Sequence, residues 1–353
     1  MPNRDLIVIG ASAGGIEALQ QIAAALPPQL NAAVVIVMHT SPNSGGLLPR
    51  LLTRAGRMPA IHPKNGEPIE NGMIYVAPPD HHLIVEPGML RTIRGPRENH
   101  HRPAIDPTFR SAAASYGRRV IGVVLTGLLD DGTSGLMVVR AHGGAAVVQD
   151  PRTALFPSMP ESALERVPDS HVVPLAELPV LLARLVADQI EVEPRKVKAD
   201  AADNSEIRLA ELDMSEVENE IRNGNPSPYG CPECGGVLWE IDQAGLLRFR
   251  CRVGHAYTAR HLRAEQRHAI EAALWAALRA LEESASLYRR MALRARNSNQ
   301  DKSMMVYEER AENAEGNSRT LRDFLVHVNG GETPSEEIEE IESKEKVTDG
   351  DAA

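Results

Sequence analysis

The run Ala33–Met38, AVVIVM, has no polar face. Successive side chains of a strand point to opposite sides, so a strand of this kind must be covered on both faces. Similar runs recur at Leu6–Ile9, Met73–Val76, Leu83–Val85, Val120–Leu125, Ala145–Gln149 and His171–Val173. Between them, Ile16–Ala25, Gly45–Ala55, Thr108–Ala114, Leu136–Ala141 and Leu178–Val186 carry apolar residues at helical spacing. This alternation predicts an α/β fold, with a doubly wound, largely parallel sheet in a three-layer αβα arrangement over residues 1–190.

Beyond residue 190 the pattern fades. Charged residues, Asn and Pro lead up to Asn225-Pro226-Ser227-Pro228, so 191–228 is predicted to be a linker, with a short helix near 206–221. A cysteine-bearing module spans 229–257. Two long patterns of three-and-four spacing follow, one through Leu274, Leu281, Tyr288 and Met291, the other through Met304, Tyr307, Ala311 and Leu325. With Asn297-Ser298-Asn299 as a turn, they predict a helical hairpin over 258–330.

Charge narrows the partners. The net charge is −10, and the segment 331–353 holds nine acidic residues against two lysines. That tail is expected to be disordered. The rest is near neutral, which argues against a nucleic-acid ligand. No apolar run approaches the roughly 20 residues needed to span a bilayer, and no targeting segment is visible, so a cytoplasmic protein is expected.

Gly10-Ala11-Ser12-Ala13-Gly14-Gly15 follows the first strand directly and precedes a helix. Gly-x-Ser-x-Gly at such a turn can present a nucleophilic serine. It also fits a phosphate-binding glycine loop, or a tight turn with no chemistry. A nucleotide fold would place an acidic residue at the end of the second strand, yet His39 stands there, and histidine suits proton transfer. The partner acid should come from another strand end. Val120–Leu125 leads into adjacent Asp130 and Asp131, and spacing does not choose between them; either could instead cap a helix.

Taken together, "VIGASAGGIEAL", "MHTSP", "YVAPPDHHL", "NHHRPAIDPTFRS", "GVVLTGLLDDGTSG" and "FPSMPESA" resemble the CheB methylesterase catalytic domain, in that family's order, across most of residues 5–188. The resemblance implies Ser12 as nucleophile, His39 as base and Asp131, the acid directly before Gly132, as the residue that orients it. It implies an oxyanion site from the backbone N–H groups of Ala13 and Leu128 and no catalytic cofactor. The implied activity is protein-glutamate O-methyl ester hydrolysis, with glutamine deamidation through the same acyl-enzyme. The implied substrate is a methylated chemoreceptor-like or other signalling protein. His101, Arg102 and Asp106, in the HRP block, are expected to be structural rather than groove-shaping. Two positions depart from the family pattern: Ala13 replaces a threonine, and Leu128 a methionine. With the serine at residue 12, no receiver domain is expected before it, so control should come from the C-terminal half or another protein. The rival reading is a non-catalytic adaptor; the presence of all three triad residues favours the enzyme.

All three cysteines of the chain, Cys231, Cys234 and Cys251, cluster in one segment. With His255 they form C-x2-C, a spacer and C-x3-H, the ligand pattern of a zinc ribbon. Four protein ligands leave no position for water, so the expected zinc is structural. Val237–Trp239 and Leu246–Phe249 should form a small hairpin within it. No triad residue lies past 190, so a chain ending there is expected to stay active without metal. The helical hairpin is expected to serve a protein partner, presenting Leu281, Tyr288 and Met291, rather than to cover the active site.

Overall fold

The computed structural model describes residues 3–190, 224–243 and 245–328. The predicted linker helix and the acidic tail lie outside the described residues. The chain divides into two compact units, Met1–Arg263 and Ala264–Ala353.

In the first unit the elements run β1 (Leu6–Ala11), α1 (Gly15–Ala25), β2 (Ala33–Met38), α2 (Leu48–Ala55), β3 (Ala60–Ile61), β4 (Glu67–Pro68), β5 (Ile74–Val76), β6 (His82–Glu86), β7 (Met89–Ile93), α3 (Ile105–Tyr116), β8 (Val120–Val124), α4 (Thr133–Ala141), β9 (Ala145–Gln149), α5 (Ser158–Arg166), β10 (His171–Val173) and α6 (Leu178–Ala187). Seven strands form a parallel sheet in the order β10-β9-β8-β1-β2-β5-β3. Every residue of β1 and β2 is buried. Ile7 and Ile9 pack toward α1, α2 and α6 through Leu19, Ile22, Leu52 and Leu182. Leu6 and Val8 pack toward α3, α4 and α5 through Phe109, Leu136 and Met159. The two-faced apolar strands are therefore the middle layer of an αβα sandwich. Each such buried side chain stabilises the fold by about 1.5–3 kcal/mol.

Some elements differ from the sequence reading. Leu83–Val85 belongs to β6, which pairs with β7 in a separate antiparallel sheet of order β4-β7-β6. Glu86-Pro87-Gly88-Met89 makes the turn, with Gly88 at φ 80°. Helix α5 lay hidden behind Pro157 and Pro160, which fit a helix's first turn as well as a loop.

The cysteine segment is a four-stranded antiparallel sheet, β11 (Asn225–Gly230), β12 (Val237–Gln243), β13 (Leu246–Cys251) and β14 (Ala256–Thr258). It belongs to the same compact unit as the αβα sandwich. The helix α7 (Ala259–Asn297) opens at the end of that unit.

The second unit is a helical hairpin in which α7 meets α8 (Asp301–Val328). Its seam is small and apolar: Leu278, Ala285 and Ala292 on α7, Ala311 and Leu325 on α8, most spaced by seven. Arg289 forms a two-pronged ion pair with Glu315 at 2.9 Å, and Tyr288 stacks on Tyr307. Tyr288 thus has a partner within the hairpin. No helix of the described residues is long and apolar enough to cross a membrane.

Candidate active site

β1 lies between β2 and β8, so the sheet's direction of winding reverses around it. Open parallel sheets leave a crevice at the carboxyl ends of such strands. Ser12 follows β1, His39 follows β2, and Asp131 lies in the loop after β8. The register is tight: Ala11 pairs with Met38, the His39 N–H donates to the Ala11 carbonyl at 3.2 Å, and the Ser12 N–H donates to the Thr126 carbonyl at 3.0 Å. Gly14, at φ 73°, turns the chain from β1 into α1.

Ser12 Oγ lies 3.1 Å from His39 Nδ1, and His39 Nε2 lies 2.7 Å from Asp131 Oδ2. Asp131 is fully buried and His39 nearly so, while Ser12 is partly exposed. Four donors converge on the Asp131 carboxylate. Oδ2 accepts from His39 and from the Ile105 N–H at 2.7 Å. Oδ1 accepts from Asn99 Nδ2 at 3.0 Å and from the Asp106 N–H at 3.4 Å. Burial opposes ionisation, but His39 and these N–H groups hold the carboxyl well below the usual range. A charged Asp131 requires the His39 proton on Nε2, which leaves the Nδ1 lone pair facing Ser12. Asp106 goes the other way: burial, then the charge of Asp131, pushes it well above the usual range. Of this buried pair, Asp131 carries the charge.

Gly127 brings the loop that carries Asp131 against Ser12. A Cβ there would stand 2.0 Å from Met159 Sδ and 2.9 Å from Ser12 Cβ. Next to it, the Leu128 N–H, like that of Ala13, meets no acceptor among the described residues. Ala13 follows Ser12 in the chain, and Leu128 follows Gly127.

The HRP block divides in its contacts. Arg102 binds Asp80 and the Gly95 carbonyl. Asp106 accepts from the Gly135 N–H at 2.7 Å and braces the acid loop. His101 stacks on His39, with ring centroids 3.6 Å apart. Burial, then the neighbouring His39, lowers its pKa to about 2, so at neutral pH it lies on His39 as an uncharged ring. Sequence reading did not single out Asn99, although it stands in the quoted NHHRP block. Asn99 and His100 both have positive φ, 52° and 66°. Such backbone costs on the order of 1–3 kcal/mol per residue and persists only where the surroundings enforce it.

The ribbon residues also come together. The ligand atoms of Cys231, Cys234, Cys251 and His255 all lie within 4.8 Å of one another. Each half is a tight turn: the Gly235 N–H donates to the Cys231 carbonyl, and the Gly254 N–H to that of Cys251. Gly254 abuts Pro96 so closely that a Cβ would lie 2.7 Å from its ring.

Polar contacts join the ribbon to the esterase within one compact unit. Glu98 forms a two-pronged ion pair with Arg110 at 2.8–2.9 Å and is bonded to Arg248 of β13. Ser134 donates to Gln243 at 3.0 Å. Thr258 and His261 both bind Asp130 at 2.7 Å. Asp130 is thus gripped by the ribbon end while its neighbour Asp131 serves His39.

Residues 7–182 match the family model described as CheB methylesterase. A Leptospira interrogans protein, provisionally named protein-glutamate methylesterase/protein-glutamine glutaminase, is 41% identical over 194 residues, which are 55% of this chain and 100% of that protein. The chain belongs to the CheB methylesterase family. An Anaeromyxobacter dehalogenans CheB relative, named protein-glutamate methylesterase/protein-glutamine glutaminase 2, is 35% identical over 51% of this chain and 53% of its own length. The chain thus spans about half of that relative. The crystal structure of the Thermotoga maritima CheB methylesterase catalytic domain matches with a TM-score of 0.50 and 32% identity, over 52% of this chain and 98% of that domain. The CheB likeness covers the αβα part; the ribbon and hairpin lie beyond the family match.

Proposed function

We propose that this chain is a serine-dependent hydrolase of glutamate γ-methyl esters on a signalling protein. The observation that carries the proposal is the unbroken line of hydrogen bonds from Ser12 through His39 to a buried, ionised Asp131. As Ser12 Oγ attacks the ester carbonyl, its proton passes to His39 Nδ1. The N–H groups of Ala13 and Leu128 receive the developing oxyanion. Asp131 stabilises the imidazolium, which returns the proton to the departing methanol. Water then enters, gives a proton to His39 and releases the glutamate and Ser12. Glutamine side chains would follow the same path with ammonia leaving, as the relatives' double name implies. None of these steps calls for a cofactor.

The cysteine cluster supports one structural zinc. Zinc bonds of about 2.3 Å to sulfur and 2.0 Å to nitrogen give tetrahedral edges of about 3.8 Å between sulfurs and 3.5 Å between sulfur and nitrogen. Here Cys234 and Cys251 lie 3.7 Å apart, and His255 Nδ1 lies 3.7 Å from Cys231 and 3.6 Å from Cys251. Cysteines gathered as metal ligands fit a reducing, cytoplasmic setting. No triad residue lies on the hairpin, and its outward Leu287, Leu293 and Met305 support contact with a protein partner.

Ser12→Ala tests the assignment. Methanol release from a peptide bearing glutamate γ-methyl ester should vanish while the thermal transition is kept. Full release by a folded Ser12→Ala chain would end the proposal.

A further inference from the structure

The catalytic acid does not stand on its own loop alone. β14 ends at Thr258, and α7 begins at Ala259. The Thr258 hydroxyl oxygen accepts from the His261 N–H at 3.2 Å and so caps that helix. Its own proton goes to Asp130 Oδ1 at 2.7 Å, where His261 Nδ1 also arrives at 2.7 Å. Asp130, Thr258 and His261 are all buried.

A second link runs through Asn99. Its N–H donates to the Ala256 carbonyl at 2.8 Å, and its Oδ1 accepts from the Thr258 N–H at 2.9 Å. That N–H fixes which way the amide faces: the oxygen must point to Thr258, and the NH2 is left for Asp131 Oδ1 at 3.0 Å. With the amide reversed, an oxygen would face the carboxylate. A third contact is made by His101, which lies flat on His39 and meets the His261 ring edge-on at 6.1 Å. The end of the ribbon therefore touches the neighbour of the acid, the amide that supports it and the ring that covers the base.

We propose that Thr258 and His261 are positioning residues for the esterase: by holding Asp130 and Asn99 they orient Asp131 on His39, so the ribbon completes the catalytic site. The proposal rests on the triad reading above. It assigns to residues outside the family match a part in the chemistry of residues within it. Misplacing a catalytic group by about 1 Å can cost around a hundredfold in rate, so the orientation of Asp131 is a sensitive target.

The test uses the full chain and methanol release from a glutamate γ-methyl ester peptide. Rates are normalised to the serines that react with a fluorophosphonate. His261→Leu removes the donor to Asp130 and should lower kcat by tenfold or more with KM within about twofold. His261→Asn carries an amide nitrogen near the place of Nδ1 and should recover most of the loss. His261→Gln carries its nitrogen near the place of Nε2 and should not. A general loosening of the fold would not separate Asn from Gln. If His261→Leu does not fold, Thr258→Val against Thr258→Ser gives the same comparison. Wild-type kcat in folded His261→Leu, or equal rates for the Asn and Gln variants, would overturn the proposal while inactive Ser12→Ala left the triad standing. An active Ser12→Ala would remove both.

Discussion

Replacing Asp131 by Asn, which differs in one heavy atom, separates the two adjacent acids. Each Asp131 oxygen receives two donors: His39 and Ile105 at 2.7 Å on Oδ2, Asn99 at 3.0 Å and the Asp106 N–H at 3.4 Å on Oδ1. An amide has only one acceptor end. If its NH2 faces His39, the imidazole must move its proton to Nδ1, and the base facing Ser12 is lost. If the NH2 faces Asn99, two buried donors oppose each other, at about 1–3 kcal/mol for each one left unmade. In both orientations the imidazolium loses its buried counter-charge. We expect kcat to fall by about a thousandfold to ten-thousandfold, or roughly 4–5.5 kcal/mol of barrier. Asp130→Asn is a different case. Its Oδ1 serves as acceptor for Thr258 and His261, and an amide oxygen can accept from both, so the loss should stay below about tenfold. The assay is methanol release by both variants, each checked for folding by its thermal transition. A loss for Asp130→Asn equal to that of Asp131→Asn would refute the reasoning, as would Asp131→Asn with turnover within tenfold of the parent.

Elemental analysis of the full chain should find one zinc per chain, lost in Cys251→Ser together with the ribbon's thermal stability; a metal-free chain with a folded ribbon would contradict this. Glu98→Gln should destabilise the protein by about 3–5 kcal/mol, because it leaves Arg110 and Arg248 buried without their counter-charge; a drop in Tm of under two degrees would disagree. The pH dependence of stability follows from the same residue. Burial opposes the Glu98 charge, but Arg110 and then Arg248 hold its carboxyl well below the usual range. Its contribution is therefore present above the unfolded value of about 4.3 and is lost as pH falls through the depressed folded value. Tm measured from pH 6 downward should fall more steeply for the parent than for Glu98→Gln, and parallel curves would count against this assignment.

The parts of the site that local chemistry dictates were legible in the sequence. Ser12 and His39 sit directly after strands whose apolar runs are unmistakable, and parallel strands bring their carboxyl ends together. The choice of Asp131 over Asp130 needed the family resemblance, since adjacent residues share one spacing. Short elements escaped for a physical reason: β3 and β4 have two residues each, too few to show a period. Thr258 and His261 gave no signal at all. Thr258 reads as the end of a hairpin strand and His261 as one more polar position on a long helix. Their contact with Asp130 spans 128 and 131 residues, and it arises only when the ribbon lies in one place on the esterase.

The character of that seam explains how one place is selected. Apolar seams bind strongly but tolerate sliding, whereas buried charges do not. Glu98 is nearly inaccessible, and so are Arg110 and Arg248, which approach it from the esterase and the ribbon. Relative to a well-packed apolar contact such a group adds little stability, because desolvating three charges offsets much of their attraction. Its effect is on register: any shift of the ribbon leaves charges buried and unmatched. Glu98 is also the residue before Asn99, so the anchor and the amide that supports Asp131 share one short stretch of chain. A seam that served only to hold the ribbon could have been apolar. Under the proposal above, the seam also sets the angle of the Asn99 amide beside Asp131, a task better served by charges that match in a single arrangement than by apolar contact.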